Sequence, residues 1–221
     1  MLNYTEISNL TIAIDYFEKA LIIDLKLFGE ENPKVTIRYN NLGSAWNSNG
    51  NFDKAIEYYE KALKIDLKLF GEENPKVAKR YNNLGMPTQE KGDLDKAIMF
   101  YEKSLKINLK VYGEENQNVA INYNNLGTAW EEKVDFDKAI KYYEMALKIG
   151  LKLFGEENPN VAIYYNNLGD VWYAEGNLNK AISYVEKSYS ILLKLYGEDN
   201  PTTKTVKTNL NEYIKAKNKA S

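Results

Sequence analysis

The pentapeptide Tyr39-Asn40-Asn41-Leu42-Gly43 returns at 81–85, 123–127 and 165–169, each copy 42 residues after the one before. A fixed period of this length marks a repeat architecture, in which each unit buries its apolar face only against its neighbours. Other columns keep the same step. Gly29, Gly71, Gly113, Gly155 and Gly197 form one; Pro33, Pro75, Pro159 and Pro201 form another, with Gln117 in the place of the third proline. Ala13, Ala55, Ala97, Ala139 and Ala181 form a third, inside the recurring "KAI" or "IAI".

Each unit reads as two helices. Asn32 is a favoured N-cap, and Pro33 suits the first helical position because its missing N–H would lack a partner there. This first helix is expected to run to about Ser48 and to stop at Asn49-Gly50, where glycine takes the left-handed conformation. Asn51 then caps a second helix, with Asp53 placed favourably in its first turn. Ala55, Ile56, Tyr59, Ala62, Leu63, Leu67 and Phe70 recur mostly three or four residues apart, the spacing of one buried helix face. Gly71 ends that helix. A lone pair cannot bury such stripes but stacked pairs can, so the expected fold is all-α, a right-handed α-solenoid of antiparallel helix pairs.

Composition removes most chemistry. The 221 residues contain no cysteine and no histidine, which excludes disulfides, thiol nucleophiles, imidazole acid–base catalysis and Cys/His zinc sites. The formal charge of −2, from 29 basic and 31 acidic residues, is not that of a general nucleic-acid binder. No apolar run has the ~18 residues of a membrane span, and the opening MLNYTEISNL does not have the form of a secretory signal. The expectation is a cytoplasmic, non-enzymatic protein without cofactor or metal.

Tyr39, Leu42, Gly43, Trp46, Ala55, Tyr59 and Ala62 have the residue types and spacing of the tetratricopeptide repeat. The longer 42-residue unit with its "G-E-E-N-P" loop resembles the repeats of kinesin light chains and their bacterial relatives. The likeness covers nearly the whole chain, from about Leu10 to Asn211. It divides the sequence into a truncated first repeat (1–31), four full repeats (32–73, 74–115, 116–157, 158–199) and a C-terminal capping helix (200–221). Residues 1–9 align with the tail of a first helix, so the second helix that follows, over 10–28, lacks most of its partner. Lys204, Lys207, Lys215, Lys217 and Lys219 read as the solvated face of the cap rather than as a nucleic-acid tail.

The resemblance implies that first helices line a concave groove, with Ile37, Asn40, Asn41, Ser44, Asn47 and Ser48 toward it or its edges. A carboxamide offers both an acceptor and donors, so it can pair with a peptide unit whatever side chain that unit carries. In the similar repeat domain of the O-linked N-acetylglucosamine transferase, the asparagine before the Leu-Gly pair does this. The resemblance carries that role to Asn41, Asn83, Asn125 and Asn167. In the last unit the motif has decayed to Lys207-Thr208-Asn209-Leu210-Asn211, and the asparagine before the leucine survives as Asn209. Asn40, Asn82, Asn124 and Asn166 are read as supporting groove residues. The competing reading is that Asn41 and its equivalents bond a neighbouring helix and need no ligand. Variable positions would set specificity: Ile37, Lys79, Ile121 and Ile163 on one level, Ser44, Met86, Thr128 and Asp170 on the next. Arg38 and Arg80 at one end, and Glu131, Glu132 and Asp170 at the other, give a groove expected to be basic early and acidic late.

Three positions break the pattern. Pro87 lies inside a first helix, where it cannot donate to the Asn83 carbonyl and costs ~3 kcal/mol; a kink or early helix end is expected, disturbing the Asn83 rung. Thr88 there replaces the tryptophan of Trp46, Trp130 and Trp172. Val134 replaces a turn glycine, and Gly150 interrupts a second helix. No catalytic constellation is present. Acidic pairs such as Glu30-Glu31 and Glu72-Glu73 read as solubilising, and "GEEN" lacks the spaced ligands of a calcium loop. The expected function is a protein-interaction scaffold that binds a peptide segment of a partner. Two alternatives stand beside it: a sensor or regulatory portion of a larger bacterial signalling protein, and self-association through the uncapped helix over 10–28.

Overall fold

The computed structural model describes residues 4–220, and side chains from Leu10 to Lys219; of the expected outer segments, 1–3 and Ser221 lie outside the described residues. Ten helices follow one another, and no strand occurs among the described residues. They are α1 (Tyr4–Phe28), α2 (Pro33–Ser48), α3 (Phe52–Phe70), α4 (Pro75–Glu90), α5 (Leu94–Tyr112), α6 (Gln117–Glu132), α7 (Phe136–Phe154), α8 (Pro159–Ala174), α9 (Leu178–Tyr196) and α10 (Pro201–Ala220). The chain forms two compact units, 1–111 and 112–221. Within each, every helix packs on the one before it and the one after it, so the fold is a solenoid of stacked antiparallel pairs.

The caps act as their sequence predicts. The Asn32 side chain accepts from Lys34 N at 2.9 Å and Asn51 from Lys54 N at 3.1 Å, and Gly50 turns the chain at φ 75°. The expected break near residue 9 does not occur, because α1 is continuous from Tyr4 to Phe28. Where other units have Gly50, Gly92 and Gly176, this segment has Ser8, and it lacks the residue that stops a helix.

The glycine of the pentapeptide is a socket. A Cβ on Gly43 would stand 2.6 Å from the Tyr59 ring, on Gly85 2.2 Å from Tyr101, and on Gly127 2.5 Å from Tyr143. Leu42, Leu84, Leu126 and Leu168 are fully buried beside these sockets. The motif tyrosine pairs with a ring on the second helix: Tyr39 with Tyr58, Tyr81 with Phe100, Tyr123 with Tyr142 and Tyr165 with Tyr184, at 6.0–6.1 Å between centroids. The tryptophans are half-buried, each under a lysine: Lys54 lies 3.8 Å over Trp46, Lys138 3.7 Å over Trp130 and Lys180 3.5 Å over Trp172.

Pro87 does not end its helix. α4 has the same 16 residues as α2, α6 and α8. The proline sits near the C-terminus, so it removes one bond, to the Asn83 carbonyl. The closing turn beyond it is intact: Lys91 N bonds Pro87 O, Gly92 N bonds Gln89 O and Asp93 N bonds Thr88 O, the pattern that Lys133, Val134 and Asp135 repeat. Buried Leu84, Pro87 and Thr88 hold the segment down, and Thr88 Oγ1 bonds Leu84 O at 2.7 Å. Val134 adopts φ 62°, the strained conformation its neighbours give to glycine. Gly150 has a packing reason: a Cβ there would meet the Tyr164 ring at 2.9 Å.

Candidate functional site

The asparagine pairs interlock between successive first helices. Asn83 Nδ2 donates to Asn40 Oδ1 at 2.8 Å, and Asn167 Nδ2 donates to Asn124 Oδ1 at 2.9 Å. The second asparagine of one motif thus holds the first asparagine of the motif before it. Pro87 leaves this untouched, since the Asn83 bond matches that of Asn167. Each carboxamide donates one N–H to the bridge, and among the described residues no donor is seen on the Oδ1 of Asn83 or of Asn167. Both residues are half-buried, as are Asn40, Asn41, Asn124, Asn125, Asn166 and Asn209. Around them Ile37 and Ile163 are exposed, whereas Ile121, Thr128 and Asp170 are half-buried.

The charges that were to polarise the groove are largely spoken for. Arg80 is buried, its Nε 2.8 Å from Asp66 Oδ2 and its Nη1 2.5 Å from Asn40 Oδ1. Arg38 Nε bonds Asp24 Oδ2 at 2.7 Å. Arg80 therefore offers no basic surface, and Arg38, though partly exposed, is paired. In the second unit Asp170 accepts from Tyr213 Oη at 2.6 Å and from Asn166 Nδ2 at 2.7 Å, and Glu131 accepts from Tyr143 Oη at 2.7 Å. Burial pushes the carboxyls of both Asp170 and Glu131 above the usual range, against the lowering effect of their donors, and Asp170 raises Glu131 further.

The arginines lead to a pair of columns 14 residues apart that the pentapeptide does not reveal. Within the two units they read Asp24/Arg38, Asp66/Arg80, Gly150/Tyr164 and Leu192/Val206. Each combination is matched in charge, polarity or volume. The constant spacing of these matched substitutions is the signal that would have moved Arg38 and Arg80 from the groove to the helix junctions.

In the last junction the arginine place is Val206, and no donor reaches Asn166 as Arg80 and Asn83 reach Asn40. Asn166 Oδ1 is buried without a partner, and so is the hydroxyl of Ser188, a residue with no exposed surface. Both line a cleft of ≈ 290 Å³ between α8, α9 and α10, walled by Ile163, Leu192, Pro201 and Val206.

A separate apolar surface lies on α1, where Ile12, Tyr16, Ile22, Ile23 and Leu27 are each more than half exposed. Ile12 and Ile22 stand in columns that hold lysine in the next three units. No described helix is long and apolar enough to cross a membrane.

Comparison with known proteins matches these features. The tetratricopeptide repeat model fits residues 3–67, 39–86, 81–149 and 132–194. Among solved structures, BtubC (BKLC) from P. vanneervenii superposes with a TM-score of 0.76 at 27% identity, covering 96% of this chain and 83% of that one. A putative kinesin light chain of nearly identical TPR-like repeats from Podosopora anserina gives 0.71 at 21% identity, covering 86% and 90%. Comparison with curated proteins gave no match.

Proposed function

We propose that this chain, which belongs to the tetratricopeptide repeat family, holds an extended segment of a partner protein on the first helices of each unit, through asparagine side chains. The repeats are kinesin light chain-like, and repeats of this family form protein–protein interaction scaffolds and are generally non-catalytic. The finer reading rests on one observation. The bridges to Asn40 and Asn124 fix the carboxamides of Asn83 and Asn167 through Nδ2, while each Oδ1 has no donor among the described residues. An amide already ordered by the protein loses little entropy when it meets a peptide N–H. The bridge and the ligand contact are therefore compatible uses of one side chain. Asn41, Asn125 and Asn209 hold the equivalent positions in the other repeats, Ile121, Ile163, Thr128 and Asp170 flank these asparagines, and Asn40, Asn124 and Asn166 support them.

The test is a peptide-library selection on the wild type, followed by titration of selected peptides against Asn41→Ala and Asn83→Ala/Asn167→Ala. Each lost backbone pairing should weaken binding about fivefold, the equivalent of ~1 kcal/mol. Unchanged affinity in both variants, with unchanged helicity, refutes the role of the asparagines. A second reading, self-association, is favoured by the isoleucines that replace solvating lysines on α1. Ile12→Lys/Ile22→Lys should then convert an oligomer to a monomer in light scattering, and a monomeric wild type removes that reading.

A further inference from the structure

The cleft between α8, α9 and α10 is the place where the array departs most clearly from its own template. In the first unit, the corresponding space is occupied from within. Arg80 lies across it, neutralised by Asp66, and delivers an N–H to Asn40 Oδ1 at 2.5 Å. At the last junction the arginine has become Val206 and the aspartate Leu192, while the acceptor has stayed as Asn166. Its Oδ1 is buried with nothing bonded to it. Facing the same cleft is Ser188, wholly buried, with a hydroxyl that also lacks a partner. The column of Ser188 holds Ala20, Ala62, Ser104 and Ala146 in the other units, so packing at this position is met by alanine as well as by serine.

Two orphaned polar atoms, in a lining that also holds Asn167, Thr202 and Thr205 beside its apolar walls, define what fits. Asn166 Oδ1 needs a donor, and the Ser188 hydroxyl can give or take a hydrogen bond. A cationic group would supply the donor, but Leu192 stands where Asp66 compensates Arg80, and an uncompensated buried charge is costly. A neutral group carrying both a donor and an acceptor answers both atoms, and its stem meets Ile163, Leu192 and Val206. We propose that this cleft binds a neutral carboxamide side chain, that of glutamine, with its NH2 on Asn166 and its carbonyl on the Ser188 hydroxyl. As a contact with a bound segment, it rests on the peptide-binding reading above and would give that surface a specificity pocket at its C-terminal end.

The experiment uses the full chain, isotope-labelled, and follows the backbone amides of Ser188 and Val206 by NMR. The probes are the N-acetyl N-methylamides of glutamine, lysine and norleucine at equal concentration. Glutamine should shift both amides in a saturable way, and the other two should not. Ser188→Ala, a residue already present at Ala62 and Ala146, should weaken the glutamine derivative about fivefold. Leu192→Asp/Val206→Arg, which rebuilds the Asp66/Arg80 arrangement, should abolish its effect. No response to glutamine, or an equal response to lysine or norleucine, overturns the proposal. Peptide selection separates the two readings. Peptides that bind the wild type without carboxamide enrichment sink the pocket and leave the asparagine column standing. A saturable glutamine response in a protein that selects no peptide upholds the pocket and sinks the peptide surface.

Discussion

Replacing Asp66 by leucine should expose how the inner junctions are balanced. The Asp66 side chain is fully buried and that of Arg80 is 8% exposed, so the guanidinium has no route to water. In Asp66→Leu it keeps only Asn40 Oδ1. Breaking a buried ion pair from one side costs about 3–5 kcal/mol, and at roughly 2–4 °C per kcal/mol for a chain of this size the midpoint should fall by about 6–20 °C. The double variant Asp66→Leu/Arg80→Val installs the pair that the protein itself carries at Leu192 and Val206, 3% and 5% exposed. It should return to within about 1 kcal/mol of the wild type or exceed it, as replaced buried pairs often do. A reason lies in the native site: Asp66 Oδ1 is buried without a partner, so the pair already carries an uncompensated atom. Asp24→Leu is the control. Its partner Arg38 is 36% exposed and can turn to water, so the loss should stay near ~1 kcal/mol. Thermal unfolding followed by circular dichroism measures all four proteins. If single and double variants at Asp66 melt together, the stranded arginine is not the source of the cost and the reasoning fails.

Val134→Gly should stabilise the second unit by about 1 kcal/mol, since it relieves a β-branched residue at positive φ; an unchanged or lowered melting temperature would contradict the strain. Gly127→Ala should destabilise by about 1–3 kcal/mol, because the Tyr143 ring lies where the methyl would go, and urea denaturation reads this directly. Burial raises the carboxyls of Asp170 and Glu131 in the folded state, so between the ordinary carboxylate range and those raised values the folded protein binds more protons than the unfolded chain. Their contribution to stability is therefore present at low pH and is lost as pH rises through the folded values. Asp170→Asn should flatten that part of a melting-temperature profile against pH, and a profile parallel to the wild type would count against it.

Much of this architecture is legible one unit at a time. Asn32, Pro33, Gly50 and Asn51 act within a few residues of themselves, and Leu42 and Gly43 mark a buried face by spacing alone. What resists reading is what depends on a second helix. Arg38 and Arg80 look like groove charges until Asp24 and Asp66 are set beside them, and that pairing is fixed by the stacking of one unit on the next. Asn83 reads as a ligand residue or a structural one, because its bridge to Asn40 spans 43 positions. Pro87 shows the converse. Its local cost is real, but the packing of Leu84 and Thr88 and an intact closing turn outweigh one missing bond.

The junction pairs bear on how such an array reaches its native order. Units this alike invite misassembly, since α3 could dock on α8 with nearly every surface residue suited to the contact. The buried pairs discriminate. In that arrangement Asp66 would face Tyr164, and Arg80 on α4 would be left to a helix such as α7, which offers Gly150. Each mismatch strands a charge in the interior at several kcal/mol, more than a surface change could recover. Asp/Arg, Gly150/Tyr164 and Leu192/Val206 thus work as address labels that bar three kinds of junction from exchanging helices during folding, while Asp24/Arg38 and Asp66/Arg80 carry one label between them.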